Sequence, residues 1–255
     1  EEDLNKTSIT QPALVIASYL YYKKFINLFD LTPNLLAGHS LGEYSALLAS
    51  NSIKIDDAIS LVHKRGKCME NSQKGSMFAI LNLGLNEINQ ICKVVEEETG
   101  EVISPANINS PNQVVIAGSD KAATIAADKC KEAGAKRTII LNVSVASHCK
   151  LMDESSQLFA KYLEDINIDI PSSKVIHNFS AKAADDPIII KQNLINQLTN
   201  SVKWVDTMNE IASTNSIVIE CGPGKVLQGL AKSNGISDIL SLGTKDFDSK
   251  LKELL

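Results

Sequence analysis

A serine between two glycines, with a short apolar run before it and a helical pattern after it, marks a nucleophile projecting from a sharp strand-to-helix turn. Residues 38–43 (GHSLGE) have this arrangement, which makes Ser40 the first candidate nucleophile. The first amides of a helix lack intrahelical acceptors, so the Leu41 N–H is suited to stabilising an oxyanion formed by acyl transfer at Ser40 Oγ. The same residues also suit a plain N-cap serine in a glycine-bounded turn.

A hydroxyl nucleophile needs a base, and the chain has 4 histidines. His148 lies in the loop SVASHCKLM just ahead of a helical pattern, a position from which an imidazole can reach a cleft. A structural hydrogen-bonding role suits it as well. His39 adjoins Ser40, where its side chain is expected to point elsewhere and pack. His63 falls on a helix and His177 ends the run KVIHNF. Arg65 is the candidate for substrate recognition. Its guanidinium keeps its charge and offers a rigid fork, so beside Ser40 it would select a carboxylate. At a helix end it would equally serve as a solvated charge favourable to the helix dipole.

The elements that must position these groups are legible in outline. Residues 11–29 form a helical pattern with Pro12 near its start, and Leu35-Leu36-Ala37 is a strand end leading into the turn. A helix from Asp56 to about Cys68 carries Arg65 near its end. Residues 77–81 and 113–117 read as strands, separated by an acidic helical segment over 86–99. A second helix covers 121–132 and a strand 137–143. That succession predicts a small inserted α/β domain over 76–144, with 1–75 and 145–255 forming the large one. Residues 217–220 read as a strand, and the final stretch SLGTKDFDSKLKELL as a last strand and an amphipathic helix. The fold class is α/β.

Composition narrows the function classes. The 255 residues carry 25 basic and 30 acidic side chains, a formal charge of -5 that gives no electrostatic case for nucleic acid. No apolar run approaches the 18 or so residues of a membrane span. Five scattered cysteines (68, 92, 130, 149 and 221) suit reduced thiols and make no metal spacing. The CGPGK stretch at 221–225 resembles part of a phosphate-binding loop but lacks the full spacing, and no dinucleotide or zinc-protease motif is present.

The blocks GHSLGEYSALLAS, RGKCMENS, NSPNQVVIAG, VSVASHCKLM, NQLTNSVKW and ECGPGKVLQGLAK, in this order and spacing, resemble the malonyl-CoA:acyl carrier protein transacylases of fatty-acid synthesis. The likeness extends over essentially the whole chain. It implies a large α/β-hydrolase-like domain with a parallel-sheet core and an inserted ferredoxin-like domain. It further implies that Ser40 is acylated by malonyl-CoA, that His148 is the base, and that Arg65 grips the malonyl carboxylate. Gln197 falls where a main-chain carbonyl orients the histidine, so its side chain is expected to matter less than Ser40 or His148. Leu41 contributes its amide. Asn109 is expected to help position the acyl group, although an asparagine before Ser-Pro also makes an ordinary turn. The resemblance calls for no metal or bound redox cofactor. Malonyl-CoA is the substrate, and the phosphopantetheine belongs to the partner, an acyl carrier protein. A monomer without nucleic-acid or membrane association, in the cytoplasm or an organelle stroma, is expected.

One departure stands out. The family begins with a strand and a G-Q-G loop whose glutamine donates an oxyanion-hole amide, whereas EEDLNKTSITQPALV matches the segment after that loop. Gln11 is therefore not that glutamine. Loss of the strand would expose sheet edges, and loss of the donor would cost roughly 3 kcal/mol of transition-state stabilisation. The expectation is an active natural protein and an impaired fragment. A noncatalytic carrier-binding fragment and a thioester hydrolase are the alternatives; a hydrolase would gain nothing from Arg65. Carrier proteins are acidic, so Lys64, Lys67, Lys136 and Arg137 are candidate docking residues.

Overall fold

The computed structural model describes residues 6–143, 145–245 and 247. Helix α1 (Thr7–Phe29) admits Pro12 early and ends at Asp30, whose left-handed backbone (φ 48°) turns the chain back. It leads into strand β1 (Leu35–Ala37), helix α2 (Gly42–Ala49) and helix α3 (Ile55–Glu70). Helices α1 and α3 approach closely at Gly66, where an added Cβ would stand 2.4 Å from Ser8 Cα. That contact aligns Gln11 on α1 with Arg65 on α3. His63 strengthens it, its Nδ1 lying 2.8 Å from the Ser8 carbonyl oxygen.

Next come β2 (Ser76–Leu81), α4 (Leu85–Thr99), β3 (Ile103–Ser110), β4 (Gln113–Gly118), α5 (Asp120–Glu132) and β5 (Arg137–Ile140). They form one antiparallel sheet in the order β3-β4-β2-β5, the ferredoxin-like arrangement, covered by α4 and α5. Strand β3 is not predicted by the residue pattern. Pro105, Asn107 and Asn109 are poor strand formers, and register shifts interrupt the pairing of β3 with β4, so its extended state depends on neighbours. Strand β5 also stops at Ile140, short of the expected 143.

After a single 3-10 turn (Lys150–Met152) come α6 (Asp153–Glu164), β6 (Lys174–Ile176), α7 (Pro187–Thr199), α8 (Trp204–Ala212), β7 (Val218–Glu220), α9 (Val226–Ser233) and β8 (Ile239–Ser241). The parallel strands form two ribbons, β1 with β6 and β7 with β8. An apolar cavity of about 570 Å³ is lined by residues from β1, β7, α1 and α8, including Phe25, Leu36, Met208 and Ile219. Reciprocal backbone hydrogen bonds, Ile108 N to Val202 O and Val202 N to Ala106 O, tie β3 to the segment before α8. The main core gathers α1, α2, α3, α6 and α7 around Tyr44, Leu47, Leu61, Phe159 and Leu194, all almost completely buried. The expected amphipathic helix at the carboxyl end lies outside the described residues, Phe247 apart.

Candidate active site

The turn from β1 into α2 is built by sterics. A Cβ on Gly38 would sit 2.0 Å from the carbonyl carbon and oxygen of Gly42, so the elbow closes only with glycine at 38. Position 42 has open space around it, so close approach rests on Gly38 and not on both flanking glycines. Ser40 itself adopts a left-handed backbone (φ 48°), uncommon for a residue with a side chain and costly by about 1–3 kcal/mol unless its surroundings hold it there. Its hydroxyl thereby leaves the helix axis. Among the described residues no acceptor takes the Leu41 N–H, which stays available beside Ser40.

Three sequence-nominated residues, His148, Arg65 and Gln197, gather about that hydroxyl. Ser40 Oγ lies 2.8 Å from His148 Nε2, and His148 Nδ1 lies 2.7 Å from the main-chain oxygen of Gln197. A carbonyl can only accept, so Nδ1 carries the proton and Nε2 presents a lone pair to the serine. His148 is 2% exposed. Burial, and then the positive charge of Arg65, hold its pKa down at about 3, while the bond to Gln197 pulls the other way. The resting imidazole is neutral, as a base must be.

Arg65 enters from α3. Its Nη2 donates to Ser40 Oγ at 3.1 Å and to Gln197 Oε1 at 3.0 Å, and its Nη1 donates to Gln11 Oε1 at 2.8 Å. The Tyr44 ring lies under the guanidinium, 5.4 Å from ring centroid to Cζ. The side chain is 1% exposed, its Nε has no partner, and among the described residues no carboxylate pairs with it. A buried cation held only by neutral acceptors is a site for an anion.

The Gln197 side chain does more than accompany its carbonyl. While Oε1 accepts from Arg65, Nε2 donates to Ser40 O at 3.0 Å and to Glu43 Oε2 at 2.7 Å. Asn109 is placed differently. Its Oδ1 is 2.8 Å from His39 Nε2 and its Nδ2 donates to Gln113 Oε1, so it reaches the elbow through His39. His39 turns away from the serine hydroxyl and meets the edge of Trp204, 5.2 Å between ring centroids. His177 is buried against Glu43.

Gln11, Glu43 and Asn178 carried no functional signal in the sequence. Gln11 sits 54 positions from the arginine it orients, and no local pattern reports such a pair. The GPGK loop is no phosphate site either: both carboxylate oxygens of Glu220 accept from the first amides of α9, Leu227 N and Gln228 N. Burial pushes the thiols of Cys149 and Cys221 up to about 11 and 12, which makes them poor competitors with Ser40. Among the described residues no cluster suits a metal ion, and no helix is long and apolar enough to cross a membrane.

Comparison with known proteins identifies the family. The acyl transferase domain family matches residues 1–244. A malonyl CoA-acyl carrier protein transacylase of Haemophilus influenzae is 44% identical over 253 residues, covering 97% of this chain and 80% of its own length. The solved malonyl CoA-acyl carrier protein transacylase of Coxiella burnetii superposes with a TM-score of 0.94 at 38% identity, over 99% of this chain and 81% of that one. A malonyl-transacylase solved in complex with its type II PKS acyl-carrier protein superposes at 0.92 with 39% identity, over 99% and 83% of the two chains. By sequence and by fold, the chain belongs to the acyl transferase domain family and groups there with the malonyl-CoA:acyl carrier protein transacylases.

Proposed function

We propose that this chain moves a malonyl group from malonyl-CoA to the phosphopantetheine thiol of an acyl carrier protein, through an ester on Ser40. The observation that carries the reading is the buried Arg65 guanidinium, unpaired with any described carboxylate, 3.1 Å from a serine hydroxyl that is itself 2.8 Å from a neutral imidazole. The malonyl carboxylate would replace neutral acceptors on Arg65 and bring the thioester carbonyl to Ser40. His148 Nε2 takes the hydroxyl proton as Oγ attacks, and the Leu41 amide faces the developing oxyanion. The tetrahedral adduct collapses with cleavage of the carbon–sulfur bond, and His148 returns the proton to the CoA sulfur. In the second half the carrier thiol gives its proton to His148 and its sulfur attacks the serine ester. That adduct collapses to the malonyl thioester, and the proton returns to Ser40.

Gln197 acts through its carbonyl, which sets the His148 tautomer, and through its amide, which links Arg65 to Glu43. Asn109 acts through His39 and the wall of the cleft. The division into a large unit (1–75 and 145–255) and a small unit (76–144) is part of the same reading, as are a cytoplasmic location and a monomeric state. Lys67, Lys136 and Arg137 are exposed, as docking of an acidic carrier requires, whereas Lys64 is half-buried over the Tyr162 ring.

The test is covalent. The chain is incubated with malonyl-CoA, quenched and weighed intact, with Ser40→Ala as control. The expected result is a malonyl increment on the parent that S40A lacks and that carrier protein discharges. Discharge by water as fast as by carrier would point to a hydrolase, and no increment on a folded sample would defeat the reading.

A further inference from the structure

We propose that Glu43 is a positioning residue for this acyl transfer, organising from behind the elbow the two residues whose side chains hold Ser40 in its left-handed conformation. The inference rests on the acyl-transfer function proposed for this chain. Glu43 lies in the first turn of α2, where an acid would ordinarily do no more than face the helix dipole. Instead its side chain is completely buried beneath the nucleophile. Three donors converge on it: His177 Nδ1 at 2.7 Å on Oε1, and Asn178 N at 2.9 Å with Gln197 Nε2 at 2.7 Å on Oε2. Three donors and no acceptor form the surroundings of an ionised, acceptor-only carboxylate.

Two of those donors belong to residues that grip Ser40. Asn178 Oδ1 accepts from Ser40 N at 2.6 Å, and its Nδ2 donates to Gly38 O at 2.7 Å. Gln197 Nε2 donates to Ser40 O at 3.0 Å. Both main-chain polar groups of the strained serine are therefore met by side chains of residues that the one carboxylate holds in turn, Asn178 by its main-chain N–H and Gln197 by its side-chain amide. Such a conformation persists only where its neighbours over-determine it. Glu43 also decides which end of the Gln197 amide faces Arg65. With Nε2 committed to Glu43 and Ser40 O, Oε1 is left for Nη2. A flipped amide would set donor against donor.

Glu43→Gln preserves volume but supplies one acceptor oxygen, and its NH₂ must confront either His177 or the Asn178 and Gln197 pair. The experiment measures the rate and final stoichiometry of Ser40 acylation by malonyl-CoA, beside the parent chain and Asn178→Ala. The expected result for E43Q is full stoichiometry reached about 100-fold more slowly, with KM for malonyl-CoA kept within a few-fold. The E43Q/N178A double variant should be hardly slower than the worse single one, because both break one chain of contacts. A rate within two-fold of the parent overturns the proposal, as does partial stoichiometry at the parent rate, which would mean that Glu43 only keeps the protein folded. Losses that multiply in the double variant also overturn it. Should E43Q not fold, N178A alone decides: slow, complete acylation supports the proposal and a parent-like rate defeats it. Absence of any adduct on the parent would instead be a failure of the proposed function.

Discussion

Replacing Arg65 by alanine should remove discrimination between malonyl and acetyl thioesters more than it removes acylation itself. The guanidinium is 1% exposed and rests on Gln11, Gln197 and Ser40, all neutral. A carboxylate about 4 Å away, at the effective dielectric of about 20 that describes such sites, gains about 4 kcal/mol. To receive it, the fork surrenders about two neutral hydrogen bonds worth about 1 kcal/mol each. The remainder, about 2 kcal/mol, corresponds to about 30-fold between the two acyl groups. The assay is single-turnover acylation of Ser40 by malonyl-CoA and by acetyl-CoA, in the parent and in Arg65→Ala, followed by intact mass. Using the ratio cancels the loss of the bond to Ser40 Oγ and any loss of stability, since both substrates suffer these alike. Malonyl acylation should fall about 30-fold further than acetyl acylation. If both fall by one factor, Arg65 supports the site without recognising the carboxylate, and the reasoning fails.

The same geometry bears on pH dependence and on helix packing. With His148 held at about 3, kcat/KM for malonyl-CoA should show no inflection from this residue between about pH 5 and 8, and an arm centred near 6.5 would contradict the assignment. The linked stability effect has a definite sign: the unfolded chain binds a proton below about 6.5 that the native histidine refuses down to about 3, so urea resistance should decline on acidification through that window. Gly66→Ala would place a Cβ 2.4 Å from Ser8 Cα, pushing α1 from α3 and Gln11 from Arg65. The expected result is a loss of about 1–3 kcal/mol in denaturant unfolding together with weakened malonyl preference; unchanged values of both would show that the helix pair does not set the arginine.

Legibility in the sequence tracks the range of the interactions concerned. The elbow around Ser40 is a local event: glycine at 38, an apolar run before it and a helix after it lie within a few bonds of one another, so the pattern discloses them. Helices α3, α4 and α5 repeat with their own apolar period and are legible to within a few residues at their ends, whereas α1, which leaves Leu14 and Leu20 exposed, is legible only as a long apolar run with Pro12 near its start. Strand β3 is not, because Pro105, Asn107 and Asn109 carry no strand preference and are extended only by pairing with β4 and by the bonds at Val202. Motif order brings His148, Arg65 and Gln197 forward by resemblance, but no spacing could state that three elements would deliver them to one hydroxyl.

The chain's own residues thus determined an α/β protein with a serine at a strand-to-helix turn and a family likeness that runs along its length. Only the tertiary structure decided which histidine meets that serine, that Gln11 and Gln197 steer the arginine, and that Glu43 turns inward to His177 and Asn178 instead of facing solvent. The reason is physical. Hydrogen-bond partners 54 to 157 positions apart leave no periodic trace, and whether a polar side chain is an exposed charge or a buried anchor depends on what packs over it.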